Sequence, residues 1–117
     1  MGDSNFIIAQ SAEDFLRKGW EFHSKKQEDS AEESFRRAIH MSPGLFDAYY
    51  GLGLVLKAQG RKQEAIQAFK KVLDLLEDES SSEQTQRQML RRLTLGHINM
   101  INSGDWNLEK EIWKRIQ

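Results

Sequence analysis

Residues 49–73 read YYGLGLVLKAQGRKQEAIQAFKKVL, and apolar side chains recur in this stretch at spacings of three and four. Such spacing is typical of helices that each bury one face. Gly60 interrupts the pattern near its middle and suits the left-handed residue that often ends a helix. The stretch therefore predicts a pair of helices joined by a short turn.

The same pattern occurs 34 residues earlier in the chain. At this shift Gly19 aligns with Gly53, and Phe35 aligns with Phe69. Glycine at these positions would let the two helices of a pair approach closely, and the phenylalanine would fill the wedge to the next pair. Because one pair cannot bury both of its faces, repeated pairs are expected to stack into a solenoid.

A third and weaker copy follows at a further shift of 44, which leaves extra polar residues around positions 77–86. A shift of 43 would instead align Gly96 with Gly53. We prefer 44 because it brings four large apolar residues into the core together. These residues are Leu93, Met100, Trp113 and Ile116. At this shift His97 takes the place of a glycine and is expected to loosen its helix pair.

The expected fold is all-α, with an N-terminal arm at 1–11 and a single domain at 12–117. Its three repeats occupy about 12–45, 46–79 and 90–117, with the insertion between the second and the third. The six expected helices span 12–25, 28–41, 45–59, 62–79, 83–102 and 106–116. Ser11 and Asp14 have the spacing of a capping box at the start of the first helix.

Composition narrows the classes of partner. Charged residues make up 30% of the 117 residues, yet the formal net charge is −1, because 17 lysines and arginines nearly balance 18 acidic residues. The two signs are interspersed along the chain. The sequence has neither the basic stripe of a nucleic-acid binder nor the roughly 20 consecutive apolar residues of a membrane span. We therefore expect no nucleic-acid or membrane partner. Since the first residues do not form a secretory signal, we expect a cytoplasmic protein.

No constellation for catalysis or metal binding is present in the sequence. The absence of cysteine excludes disulfides and cysteine-based sites. The three histidines, at positions 23, 40 and 97, fall in different predicted helices, and no two have metal-ligand spacing. We therefore expect a protein that is not an enzyme and holds no metal or cofactor.

These repeats resemble the tetratricopeptide repeat family, whose pattern of spaced aromatic, glycine, alanine and phenylalanine residues extends over 34 positions. The matching residues are Phe15, Gly19, Phe22, Ala31, Phe35, Ala38 and Pro43 in the first unit, and Tyr49, Leu52, Gly53, Leu56, Ala65, Phe69 and Val72 in the second. Lys18 and Glu77 depart from the pattern, where leucine and proline are usual. The resemblance implies a right-handed superhelix of helical hairpins. It also implies a concave groove, lined by the first helix of each pair, that binds a peptide or helix without catalysis.

Helical geometry identifies the side of each first helix that points away from the core. The predicted partner-binding residues on this side are Leu16, Trp20, His23, Tyr50, Leu54, Lys57, Arg91, Ile98 and Ile101. Glu13, Asp47 and Thr94 are expected beside them. The apolar members would form one strip, and exposed apolar patches of this kind usually mark interaction sites. We therefore expect a scaffold or adaptor with a protein or peptide partner. A carboxylate clamp, which some family members form here, is not expected because apolar residues occupy its positions.

Two alternatives to partner binding stay open. The strip could be covered by the chain itself, including Phe6, Ile7 and Ile8 of the arm. It could also serve a homo-oligomer, together with the last predicted helix, which places Leu108 and Ile112 near the open end of the solenoid. Solenoid ends need a polar outer face, so a two-fold homodimer is the simplest cover for these residues.

Overall fold

The computed structural model describes residues 11–77 and 84–104, and its regular structure within these ranges is entirely α-helical. Its helices are α1 (Ala12–Ser24), α2 (Glu28–Met41), α3 (Phe46–Ala58), α4 (Lys62–Glu77) and α5 (Gln84–Ser103). Each helix packs against the next, and α1 also contacts α3. The all-α prediction and five of the six predicted helices are confirmed, with ends that differ by at most two residues. The sixth predicted helix and residues 1–10 lie outside the described residues.

The first helix begins at the predicted capping box. The Ser11 hydroxyl accepts a hydrogen bond from the backbone N–H of Asp14 at 3.3 Å. In return, the Asp14 carboxylate accepts one from the backbone N–H of Ser11 at 3.0 Å. Two N–H groups that have no partner within the helix are thereby satisfied.

The turns of the two hairpins have the same hydrogen-bond pattern, 34 residues apart. The N–H of Gln27 donates to the carbonyl of Phe22, and that of Arg61 donates to Leu56, both at 2.9 Å. Each turn needs one residue with positive φ, which is Gly60 at 80° in the second hairpin and Lys26 at 62° in the first. Glycine adopts this conformation without steric cost, whereas a lysine is strained in it.

Phe35 joins the first hairpin to the second. Its ring is fully buried and passes so close to Gly19 and Gly51 that a Cβ atom at either position would lie 2.6 or 2.4 Å from a ring carbon. Phe69 meets Gly53 in the same way, at 2.5 Å. The predicted roles of Gly19 and Gly53 are therefore confirmed, and Gly51 is a third position at which only glycine fits the packing.

An ion network also connects the first hairpin to the second. One guanidinium nitrogen of Arg61 lies 2.8 Å from the Glu32 carboxylate on α2, and the other lies 2.8 Å from Glu64 on α4. Arg36 contacts the same Glu32 carboxylate at 2.9 Å. The hydrogen bonds from these cations lower the pKa of Glu32 against the opposing effect of burial, which is the largest single influence. The network thus stabilises the charged carboxylate where the two repeats meet.

The predicted register of α5 is wrong. Leu93 and Met100, expected in the core, are 38% and 37% exposed, whereas Thr94 is fully buried and Gly96 is buried too. This burial fits the shift of 43, which places Gly96 at the position of Gly53. The other two residues of the predicted core group, Trp113 and Ile116, lie outside the described residues.

Candidate functional site

Six half-buried apolar residues from α1, α3 and α5 pack against the core along one face of the stacked helices. They form what we call the groove strip: Leu16, Trp20, Tyr50, Leu54, Ile98 and Ile101. Two come from each of these three helices. Each side chain packs against the buried core while part of it stays open to solvent. The strip therefore covers the core on its inner side and presents an apolar surface to solvent on its outer side.

Aromatic contacts make the middle of the groove strip continuous. The Trp20 ring meets Phe35 edge to face at a centroid distance of 5.1 Å and lies 6.4 Å from the ring of Tyr50. Tyr50 in turn lies 6.0 Å from Phe69 and 5.7 Å from the imidazole of His97. These rings are held by the core phenylalanines beneath them, so their positions are fixed before any ligand arrives.

His97 belongs to this face, although the sequence prediction placed it in the helix-pair interface. Its imidazole stacks on Phe69, with a centroid distance of 5.2 Å and an interplanar angle of 8°. The imidazole therefore does not loosen the packing. It extends the ring contacts of Trp20 and Tyr50 from α3 to α5, and we call these three rings the aromatic row. The shift of 43 explains the error, because it places His97 at the position of Leu54 rather than that of Gly53.

The hydrogen bonds of His97 define its protonation. The ammonium of Lys57, which can only donate, lies 3.3 Å from Nδ1. Nδ1 therefore accepts, and the proton of the neutral ring lies on Nε2, 3.1 Å from the Tyr50 hydroxyl. Burial, with a further contribution from the charge of Lys57, lowers the pKa of His97 to about 4. The imidazole is consequently neutral at physiological pH.

The remaining predicted groove residues have different environments. His23 Nδ1 lies 2.8 Å from the carboxylate of Glu28, and the guanidinium of Arg91 lies 3.5 Å from Glu77 at the end of α4. Thr94, expected on the groove side, is buried instead and donates its hydroxyl hydrogen to the Leu90 carbonyl at 2.7 Å. Its prediction as a groove residue is wrong, for the same one-residue reason as that of His97.

An open cavity of about 720 Å³ lies away from the groove strip, along α2. Its charged walls are paired within the protein: Arg37 contacts Glu33 at 3.5 Å and lies 5.7 Å from the centroid of the Phe15 ring. Because these charged groups already pair with one another, fewer of them are available to bind a ligand, and we regard the groove strip as the better candidate site.

The described residues form neither a metal-binding cluster nor a membrane-spanning helix. In residues 11–77 and 84–104, no three histidine or acidic side chains are grouped so that they could hold a metal ion. None of the helices in these ranges has the length and apolar character needed to cross a bilayer. The predicted oligomer residues Leu108 and Ile112 lie beyond the described part of the chain.

Comparison with known proteins agrees with this architecture. Tetratricopeptide repeat profiles match residues 15–44 and 46–79, which correspond to the hairpins α1–α2 and α3–α4. The chain is 40% identical over 58 residues, half its length, to small glutamine-rich tetratricopeptide repeat-containing protein 2 of Saccharomyces cerevisiae, but spans only 17% of that protein. It is 35% identical over 60 residues to an uncharacterized protein of Methanocaldococcus jannaschii, of which it spans 70%. With the repeat geometry and both profile matches in agreement, the chain belongs to the tetratricopeptide repeat family.

Proposed function

We propose that this chain is a non-enzymatic adaptor that binds a peptide or helix of another protein on the groove strip. Repeats of this family generally mediate contacts between proteins, which supports the class of function. The observation that supports the location is the run of ring contacts from Trp20 through Tyr50 to His97, which links α1, α3 and α5. The absence of cysteine suits a reducing compartment, and we place the interaction in the cytoplasm.

The groove strip has the physical properties of a recognition surface. Complete burial of an aromatic or large aliphatic side chain contributes about 1.5–3 kcal/mol. Because each residue of the groove strip is only half-buried, a partner that covers it would add part of this free energy. Trp20 and Tyr50 stand at its centre, on rings already positioned by Phe35 and Phe69. Rigid central aromatic residues are the usual anchors of protein interfaces, because little side-chain entropy is lost when a partner covers them.

A peptide selection tests this proposal. The full-length protein is the bait for a displayed library of random 16-residue peptides, and the selected peptides are measured against Trp20→Ala and Leu54→Asp. We expect apolar residues at helical spacing among the selected peptides, and at least tenfold weaker binding to each variant. Met41→Asp is the matched control, because Met41 is 49% exposed on α2, outside the groove strip. Peptides that bind all three variants equally, or a selection without specific binders, would reject the proposal.

Self-association is the second candidate, favoured by the apolar residues that α5 exposes. Met89 is 62% exposed, and Leu93 and Met100 also face solvent. We propose that this side of α5, with Leu108 and Ile112 from the following segment, joins two copies of the chain. Sedimentation at increasing concentration should then show a dimer that Leu93→Glu and Ile112→Glu dissociate and that Thr85→Glu leaves intact. A monomer at the highest concentration would count against this candidate and leave the adaptor proposal standing.

A further inference from the structure

A cleft opens where the start of α3 faces the first turns of α5. It encloses about 330 Å³, and its walls include Phe46, Arg87, Met89, Leu90 and Leu93, with Asp47 beside them. At the shift of 43, Phe46 aligns with Met89, so residues 84–88 form an additional helical turn that the second repeat does not have. The cleft is therefore a product of the insertion that lengthens α5.

Asp47 contributes to this cleft a carboxylate that is not paired with any described residue. Its carboxylate forms no hydrogen bond or ion pair with any residue in the described ranges, unlike Asp14, Glu32 or Glu64. Asp47 is exposed, yet its surroundings remove enough water to raise its pKa. A carboxylate in this position gains from a cation that approaches through the open side.

The cations near the cleft are engaged elsewhere. The guanidinium of Arg87 lies 5.6 Å from the centroid of the Phe46 ring and donates a hydrogen bond to the Leu76 carbonyl at 3.0 Å. Arg91 contacts Glu77. Both arginines therefore already interact with other groups of the protein. The Asp47 carboxylate is accessible to a cation that the partner supplies.

We propose that this cleft binds a lysine or arginine side chain of the partner polypeptide, with its head group at Asp47 and its methylene stem against Met89, Leu90 and Leu93. The inference rests on the proposed adaptor function, since Asp47 lies one helical turn before Tyr50 of the groove strip. Lysine and arginine combine an apolar stem with a charged end, which matches apolar walls beside a carboxylate. A wholly apolar side chain would desolvate Asp47 without pairing it, which is unfavourable, and an acidic one would be repelled.

The test uses three capped dipeptides that differ in one side chain. The isotopically labelled full-length protein is titrated with the amides of N-acetyl-leucyl-lysine, N-acetyl-leucyl-norleucine and N-acetyl-leucyl-glutamate, and backbone amide shifts are followed by NMR. We expect the lysine peptide to shift the signals of Phe46, Asp47, Met89 and Leu93. It should bind about fivefold more tightly than the norleucine peptide, as a partly exposed ion pair allows. The glutamate peptide should bind more weakly than either.

Two charge-matched variants assign the preference to one carboxylate. Asp47→Asn should abolish the difference between lysine and norleucine, whereas Asp74→Asn, at an exposed position of α4, should leave it unchanged. Equal binding of the two peptides to the wild-type protein, a preference that survives Asp47→Asn, or shifts confined to other acidic positions would overturn the inference. If lysine preference is absent while selected peptides still depend on Leu54, only the cleft assignment fails. If lysine preference is present but no selected peptide depends on Leu54, the adaptor proposal fails instead.

Discussion

Replacing Gly51 with alanine should destabilise the protein, although alanine is the better helix former. The substitution puts a Cβ atom 2.4, 2.6 and 2.9 Å from three carbons of the Phe35 ring, where ordinary contact begins at 3.4 Å. The ring would have to retreat by about 1 Å. It cannot do so freely, because Gly19 lies equally close to the same ring and Trp20 packs against it at 5.1 Å.

The two opposing effects can be compared in magnitude. Alanine in a helix interior gains about 1 kcal/mol over glycine, whereas overpacking a core typically costs about 1–3 kcal/mol and sometimes more. Since Phe35 is fully buried and confined on both sides, the upper part of that range applies. We therefore expect Gly51→Ala to reduce the free energy of unfolding by about 1–2 kcal/mol. For a domain of this size, this lowers Tm by roughly 5–10 °C.

Urea and thermal unfolding, followed by circular dichroism, provide the assay. Gly44→Ala is the matched control, because a Cβ there meets nothing within 4 Å and the substitution should be neutral or slightly stabilising. Combining Gly51→Ala with Phe35→Leu should destabilise by less than the two single changes added together, because the smaller side chain makes room. An increase in Tm for Gly51→Ala, or additive effects in the double variant, would refute the packing argument.

Stability should fall as pH is lowered from 6.5 towards 4, because the folded state holds the pKa of His97 at about 4 and the unfolded chain takes up that proton near 6.5. Unfolding measured across this range should show a smaller fall for His97→Gln, and an unchanged pH profile would contradict the assigned burial. Arg61→Met should lower the free energy of unfolding in low salt, and by less in 1 M NaCl, because it removes contacts to two carboxylates at 2.8 Å. Arg37→Met, which loses one exposed ion pair at 3.5 Å and a contact with the Phe15 ring, should have a smaller effect, and equal losses would argue against a network.

The helices and the first two repeats could be predicted because their signals are local and occur twice. The 34-residue shift aligns Gly19 with Gly53 and Phe35 with Phe69, so each copy supports the interpretation of the other. Ser11 and Asp14 likewise form a contact between near neighbours, which sequence spacing describes well.

Features that depend on contacts between repeats could not be derived in the same way. Gly51 aligns with Arg17 in the first repeat. The alignment of the two repeats therefore did not predict that Phe35 contacts Gly51. In the third repeat the two registers differ by one residue, and one residue rotates a helix position by about 100°. That rotation is enough to bury Thr94, expose Leu93 and bring His97 to the aromatic row.

Helical periodicity also does not predict which residues far apart in the sequence contact one another. The contact between Lys57 and His97 and the position of the Asp47 carboxylate in its cleft both depend on how α3 and α5 pack together. Helical spacing predicted which residues of α1 to α4 pack inward, whereas the partners of charged side chains depend on how the helices are placed relative to one another.

Lys26 adopts a left-handed backbone conformation, which makes the stabilities of two otherwise similar hairpins unequal. Where Gly60 turns without penalty, Lys26 carries a conformational strain of about 1–2 kcal/mol. Local opening should therefore begin in the first hairpin, and its amide protons should exchange with deuterium before those of α3 and α4. Since Trp20 belongs to that hairpin, one third of the groove strip would loosen while the rest stays folded, and a bound partner would slow the exchange most strongly there.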